Sequence, residues 1–380
     1  MTAEKQKKKL LIIGITMNCA GTEKAFLSFA DLIDYEQYEV DLLLAKKEGL
    51  FLDLLPPEIR VIEMERYGDL FTLTGASAAR VIRDNFCRKN PLVYFELLPY
   101  ALKMKLFPKT RSFTAMRLWV HMMQKMDEFP GEYDAAVAYW GDKTMFYMID
   151  KVKAKKKIAW LHFDYAHPAR DDALYGRYFA KCDSIVTVSD AIDQSLKKKL
   201  PMAADRCVMM QNIENPRLIR EMADKGETFN DGFEGKRILT IGRVSEQKGY
   251  DFAVEALRRL AENKGVADSL IMLGVTQNPY GYLKDCDIYA QPSRHEGKPI
   301  SVEEAKILCR PIYISDYLSA AEQLESGRLG EIGPIGAEGT YQGLKKLLDS
   351  QELCERYSQE LSKVDLGNER EMEKFYRMME

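Results

Sequence analysis

Two glutamates, Glu296 and Glu304, stand with seven residues between them in the stretch 292–316, PSRHEGKPISVEEAKILCRPIYISD. The pattern predicts the end of a strand at 287–291, a loop bearing Pro and Gly, a short helix from about residue 300, and another strand at 311–315. Glu296 falls in the loop and Glu304 in the opening turn of the helix. Unpaired backbone N–H groups at a helix N-terminus form an anion site, here around Gly297, Ser301 and Val302. A carboxylate on either side of such a site suits a ligand that is both a phosphate ester and a polyol, the chemistry of a nucleotide sugar. Ser301-x-x-Glu304 also satisfies a capping box, which needs no ligand, so Glu304 has two candidate roles.

Three other places could serve the same ligand. Residues 237–242 read as a strand, 243–249 (RVSEQKG) as a loop, and 252–260 as an amphipathic helix. Arg243 offers a bidentate fork and Lys248 a point charge, unless both are simply solvated loop cations. His162 ends the strand 157–162, where side chains at the carboxyl edge of a parallel sheet face the ligand crevice; a buried, hydrogen-bonded histidine is the alternative. Gly21 lies in the turn between the apolar run 10–15 and a helical pattern from 26 to 33. The interval from Gly14 to Gly21 is wrong for a Walker A loop, and no lysine follows Gly21 directly. Gly21 could equally serve only the turn.

Glu-x7-Glu within Glu-Gly-x-Pro-x-x-x-x-Glu-Ala, following Tyr-Leu-Lys-Asp-Cys-Asp-Ile-Tyr-Ala-Gln-Pro-Ser, resembles the retaining glycosyltransferases of family 4, of the bacterial polysaccharide type. The resemblance covers essentially the whole chain and is weakest at 65–130. It implies the GT-B architecture: an α/β fold of two Rossmann-like domains facing each other across a cleft. It further implies that Glu296 contacts the donor sugar and His162 the sugar and acceptor, these two being the catalytic residues. Arg243 and Lys248, matching Gly-Arg-x-x-x-x-Lys-Gly, would hold the diphosphate, with Gly21, Gly297, Ser301 and Val302. The loop 18–23 matches the family's Gly-Gly-Thr-Glu element, with Ala20 in place of the first glycine. Glu304 would bind the ribose, and Gly274 and Asn278 would border the base.

Length and composition set wider bounds. At 380 residues two domains are expected. They are placed at 1–212 (acceptor side) and 213–367 (donor side), with a terminal helix at 368–380 packing back on the first. A net charge of −3 gives no reason to expect nucleic acid. Seven scattered cysteines without a C-x-x-C pair fit a reducing compartment and argue against zinc or a disulfide framework. No apolar run approaches the ~20 residues that span a bilayer. The lysines at 7–9 and the apolar run behind them read as a first buried strand rather than a leader. A cytoplasmic protein is expected. The five lysines of 151–157 read as a solvated helix end.

The stretch 88–125 carries eight Lys and Arg against the single acid Glu96, interleaved with large apolar groups. Basic, aromatic amphipathic helices lie in membrane interfaces and prefer anionic lipid, although two core-packing helices would read the same way. A peripheral contact with the inner face of the cell membrane is the partner expectation here. One departure from the family stands out: only about ten residues (261–270) separate the helix 252–260 from a strand expected at 269–274, so one β-α unit of the second domain is missing.

These readings converge on a hexosyltransferase moving a sugar from a nucleoside diphosphate to a hydroxyl of a glycan or lipid-linked acceptor in cell-surface polysaccharide synthesis, with no cofactor and no metal. Two alternatives remain open from sequence: a catalytically impaired glycan-binding or scaffold protein, motivated by the missing unit, and a nucleotide-sugar epimerase on the same scaffold.

Overall fold

The computed structural model describes residues 7–18, 21–72, 75–264 and 270–380; Ala20 and Ser269 lie outside them. The first sheet contains β1 (Lys8–Gly14), β2 (Tyr38–Leu44), β3 (Arg60–Glu63), β4 (Glu132–Ala138), β5 (Lys153–Leu161), β6 (Ser184–Thr187) and β7 (Cys207–Met209). All pairs are parallel, in the order β3-β2-β1-β4-β5-β6-β7. Parallel sheets are covered on both faces, which is why β1 is apolar and buried without a break from Leu10 to Ile13. Its side chains alternate between two cores. Leu11 and Ile13 join Ala136, Ala138 and Ala159 on one face, while Leu10 and Ile12 join Val137 and Ile158 on the other.

The second sheet has four parallel strands, β8 (Ile238–Leu239), β9 (Ile288–Gln291), β10 (Ile312–Ser315) and β11 (Glu331–Gly333), ordered β11-β10-β9-β8. The loops after β1 and β5 and those after β8 and β9 meet between the two sheets, where the candidate residues lie. The chain leaves the first domain through residues 210–215 and returns near its end. Asn368 Nδ2 donates to the Asn212 carbonyl at 2.6 Å, and the Glu214 amide donates to Asn368 Oδ1 at 2.9 Å. The helix Met372–Met379 then packs on the first sheet, with Phe375 edge-on to Phe29 at 4.9 Å between ring centroids. Among the described residues no helix is long and apolar enough to cross a membrane.

Three sequence expectations are corrected. The strand expected at 237–242 shortens to two residues, because β8 is the last strand of its sheet and pairs only with β9. The strand expected at 269–274 does not form over its described residues: Leu270, Ile271, Met272 and Leu273 are exposed and outside the sheet. A parallel strand there would need a helix over each face. The Tyr250–Lys264 helix packs beside Ala337–Asp349, and the described residues 270–273 pair with no strand of the sheet. The lysines of 151–157 are largely strand, not helix end. Lys153 and Lys155 project outward from β5 to Glu128 and Asp134, while Ile158 and Trp160 further along are buried.

Phe375 is fully buried against Phe29 and Trp160. Phe375→Ala should therefore destabilise the first domain by about 3–5 kcal/mol. Thermal unfolding followed by circular dichroism checks this; an unchanged midpoint would mean that the terminal helix is not part of that core.

Candidate functional site

The strand–loop–helix of residues 288–307 positions both glutamates. β9 is buried along its length, and Pro299 stands at the N-cap of the helix Ile300–Ile307. Glu296 in the intervening loop is nearly buried. Its Oε1 accepts hydrogen bonds from Lys248 Nζ at 2.8 Å, Ser293 Oγ at 2.7 Å and Gln291 Nε2 at 3.2 Å. Gln247 Nε2 reaches Oε2 at 3.3 Å. Lys248 can do this because the 3-10 turn Glu246–Lys248 ends at Gly249, whose φ of +64° and close approach to the Pro292 carbonyl suit glycine alone. Glu296 and Lys248 thus form one ion pair between the loops after β9 and β8.

Glu304 is buried one helical turn further on. Its Oε1 accepts from Lys24 Nζ at 2.8 Å and from the Tyr280 hydroxyl at 2.7 Å, and Lys24 also stands 4.5 Å from the centroid of the Tyr280 ring. Lys24 belongs to the helix Gly21–Ala30 of the first domain, so this pair crosses the cleft. Glu304 Oε2 is buried without a hydrogen-bond partner among the described residues. The capping box is not formed. Ser301 lies inside the helix, and its hydroxyl accepts from Tyr289 at 2.8 Å.

The first domain closes against this helix at Gly21, where a Cβ would stand 3.9 Å from Ile300 Cδ1. Nearby, burial raises the Glu23 carboxyl above the usual range, and the Arg243 charge pulls it the other way. Arg243 is exposed beside that carboxyl and forms no ion pair among the described residues. Gly297 sits tight against the first domain: a Cβ there would be 2.5 Å from the His162 carbonyl oxygen. His162 follows β5 and lies against Tyr139, with ring centroids 4.6 Å apart. Desolvation lowers its pKa to about 3, against smaller opposing effects of the Asn212 side chain and the Tyr139 backbone. The imidazole is neutral, and its Nε2 has no hydrogen-bond partner among the described residues.

Glu296, Gly297 and His162 border a cavity of about 420 Å³ that runs into the first domain. Its far wall holds Trp140, Phe163, Asp142 and Lys143, and Met116 from the helix Arg111–Met123. Asp142 Oδ1 is buried without a partner among the described residues, and Arg170 lies 3.5 Å from Oδ2. Burial raises the Asp142 carboxyl, partly offset by Arg170, and lowers Lys143 to about 8. Among the described residues no cluster of three or more His, Cys, Asp or Glu could hold a metal ion.

The structure therefore lines one hollow with Glu296, Gly297 and His162, and Lys248 is tied to it through its ion pair with Glu296. Glu304, Ser301, Gly21 and Arg243 are not part of that lining: Glu304 pairs with Lys24, Ser301 bonds Tyr289, Gly21 closes on Ile300, and Arg243 is exposed. Three further residues also lie apart from it. The Val302 amide already donates to the Pro299 carbonyl at 3.2 Å, and its side chain is in the core. Asn278 is engaged structurally, through Nδ2 to the Met222 carbonyl at 2.8 Å and Oδ1 to the Tyr280 amide at 3.2 Å. Gly274 stands free, with nothing within 4 Å of a Cβ placed there. Sequence reasoning missed Lys24, Tyr280, Gln247, Asp142 and Lys143. Lys24 could have been suspected from its place directly after the Thr-Glu of the first loop; the others carry no spacing signal.

Comparison with known proteins decides what this cleft belongs to. Residues 257–364 match the family described as glycosyl transferases group 1. An uncharacterized glycosyltransferase of Haemophilus influenzae is 26% identical over 312 residues, covering 73% of this chain and 82% of that protein. The chain is a GT-B glycosyltransferase. The N-acetylgalactosamine-N,N'-diacetylbacillosaminyl-diphospho-undecaprenol 4-alpha-N-acetylgalactosaminyltransferase of Campylobacter jejuni is 24% identical over 205 residues, 47% of this chain and 54% of its own length. In fold, this glycosyltransferase superposes on Anabaena HepE in complex with UDP and glucose with a TM-score of 0.65. That likeness covers 98% of this chain and 99% of HepE at 12% identity.

Because its folded pKa lies below the ordinary 6.5, His162 favours folding fully above about pH 6.5, and that contribution is lost as pH falls toward 3. In the folded enzyme its ring protons should show no titration between pH 5 and 8 by NMR. A midpoint near 6.5 would mean that the ring is solvated rather than enclosed.

Proposed function

We propose that the enzyme transfers a sugar from a nucleoside diphosphate to a hydroxyl of a glycan or lipid-linked acceptor, with retention at the anomeric carbon, in the synthesis of cell-surface polysaccharide. The observation that carries this reading is the Glu296–Lys248 pair, 2.8 Å apart, at the edge of the cavity shared with His162. In this assignment the diphosphate lies between Arg243, Lys248 and the open amides at the start of the Ile300–Ile307 helix. The ribose reaches Glu304 in competition with Lys24 and Tyr280, and the sugar hydroxyls reach Glu296. Charge builds on the departing diphosphate, where each preorganised donor is worth about 3–4 kcal/mol. The acceptor hydroxyl enters through the cavity from the Asp142 side.

What the residues can do supports retention. Glu296 is committed to four polar partners and is not free as a nucleophile. Burial lowers the His162 pKa to about 3, so near pH 7 the ring is neutral, has no acidic proton to give and accepts one poorly. The leaving phosphate then takes the acceptor's proton, with departure and attack on the same face of the sugar. The Campylobacter relative, whose name specifies a diphospho-undecaprenol substrate, supports the lipid-linked class of acceptor. A peripheral position on the inner face of the cell membrane, through residues 88–125, belongs to the same reading. Neither alternative drawn from sequence has an observation that favours it over transfer.

Glu296→Ala and Lys248→Ala should each lower turnover at least about tenfold in protein that circular dichroism shows to be folded, although breaking the buried pair also lowers the unfolding midpoint. Wild-type rates in either variant would remove the assignment. Since Gly274 and its neighbours stand exposed, the base has few walls, and calorimetry should find UDP, GDP and ADP within about tenfold of one another. Failure of all three to bind contradicts the donor site. The two cations take the place of a metal, so EDTA should leave the transfer rate unchanged; loss of activity restored by Mg²⁺ would show otherwise.

A further inference from the structure

The helix Val93–Leu106 carries large apolar side chains on opposite sides, yet only one side of it is covered. The covered side is pinned to the helix Arg111–Met123 and its C-terminal flank. Val93 is buried, Leu97 packs on the first core, and Tyr100 stacks on His121 at 5.6 Å. Glu96 pairs with His121 at 2.7 Å and with Lys125 at 2.8 Å. These contacts fix the rotation of the helix about its axis. Leu92, Phe95, Leu98, Leu102 and Leu106, spaced by three and four, then form one stripe on the opposite side, extended by Phe107, and every one of them is more than half exposed.

The charges around the stripe say what covers it. At 100° per residue Lys103 and Lys105 fall on its two margins, and Lys89, Lys109 and Arg111 stand beyond its ends. Among the described residues none of these five cations has a carboxylate partner. The nearby acids are already engaged, Glu96 as above and Asp84 with Arg83 and Arg88. A second copy seated on this face would set unpaired cations against unpaired cations. An apolar stripe between lysines whose stems can lie along it is instead suited to the interface of an anionic bilayer.

We infer that the exposed face of the Val93–Leu106 helix is a membrane-docking surface: Phe95, Leu98, Leu102 and Leu106 enter the interfacial region and the flanking lysines meet anionic headgroups. The docking has a consequence for the reaction. The helix beneath the stripe contributes Met116 to the cavity beside Glu296, and its Arg117 pairs with Asp171 at the N-cap of the helix Asp172–Phe179. A docked enzyme therefore holds its acceptor cavity about one helix diameter (~10 Å) from the bilayer surface. An acceptor carried on a lipid is then taken from the membrane plane rather than from solution. Only this last step rests on the acceptor reading given above; the docking does not.

The test is co-sedimentation of the full chain with vesicles of phosphatidylcholine alone and of phosphatidylcholine mixed with phosphatidylglycerol. The wild type should pellet with the anionic vesicles at low salt and be released near 1 M salt, where the Debye length is about 3 Å. The triple variant Phe95→Ser, Leu98→Ser, Leu102→Ser should partition at least tenfold less. The pair Lys103→Glu, Lys105→Glu should lose the preference for phosphatidylglycerol. Both should keep the wild-type affinity for UDP by calorimetry and the wild-type unfolding midpoint, since all five side chains are exposed. In a second arm, Phe95→Trp should show a blue-shifted emission with vesicles that brominated lipid quenches. Wild type left in the supernatant with anionic vesicles overturns the proposal, as does a triple variant that pellets like wild type. So does light scattering that finds a wild-type dimer made monomeric by the serines. Normal docking with no transfer to any lipid-linked acceptor would instead defeat the acceptor reading and leave the docking surface standing.

Discussion

Two carboxylates buried within nine residues of each other organise this enzyme, and neither could stay where it is without a cation. Taking a carboxylate out of water costs several kcal/mol, which only a close partner and good hydrogen bonds offset. Glu296 has Lys248 from its own domain; Glu304 has Lys24 from the other. Removing one partner from such a pair leaves an uncompensated charge at a cost of about 3–5 kcal/mol. The positions of the loop after β8, the helix Ile300–Ile307 and the first helix of the chain are therefore coupled. In the proposed assignment the donor's hydroxyls would meet the two carboxylates and its diphosphate would meet Lys248, so the Glu296–Lys248 pair holds both groups ready for the ligand.

That coupling also explains why the cleft is closed here. Lys24 to Glu304, the Ala191 amide to Glu322 at 3.2 Å, and the contact of Gly297 with the His162 carbonyl all cross from one domain to the other. The crossing-out segment 210–215 and the returning Asn368 are tied to each other by two hydrogen bonds, which gives the two domains a common anchor away from the site. The shortened second sheet weakens the other side. With 270–273 exposed, the region near Gly274 offers few walls, so in the proposed assignment discrimination would rest on phosphate, ribose and sugar.

Much of this was legible in the sequence, for identifiable reasons. Central parallel strands are continuous apolar runs, so β1 and β2 could be placed within a residue or two, and the turn residues around Pro292 and Gly297 marked the loop holding Glu296. The glutamate spacing marked both carboxylates as buried groups near a loop and a helix start, but not that Glu296 borders the cavity while Glu304 turns to Lys24 of the other domain. What failed was what depends on distant partners. The lysines of β5 look like a solvated helix end until Glu128 and Asp134 are seen beside them. Lys24 meets a glutamate 280 positions away, and Asp142 reaches the cavity only because β4 and β5 are neighbours. The strand expected at 269–274 was the opposite error: an apolar run with the right local pattern whose described residues 270–273 stay exposed and unpaired with the sheet.

The most direct measurement is a crystal structure of the enzyme with a bound nucleoside diphosphate. The account predicts phosphate oxygens within hydrogen-bond distance of Arg243 and Lys248, and ribose hydroxyls on Glu304 with the Lys24 contact broken or shared. A nucleotide bound elsewhere, with the Lys248–Glu296 and Lys24–Glu304 pairs undisturbed, would contradict it.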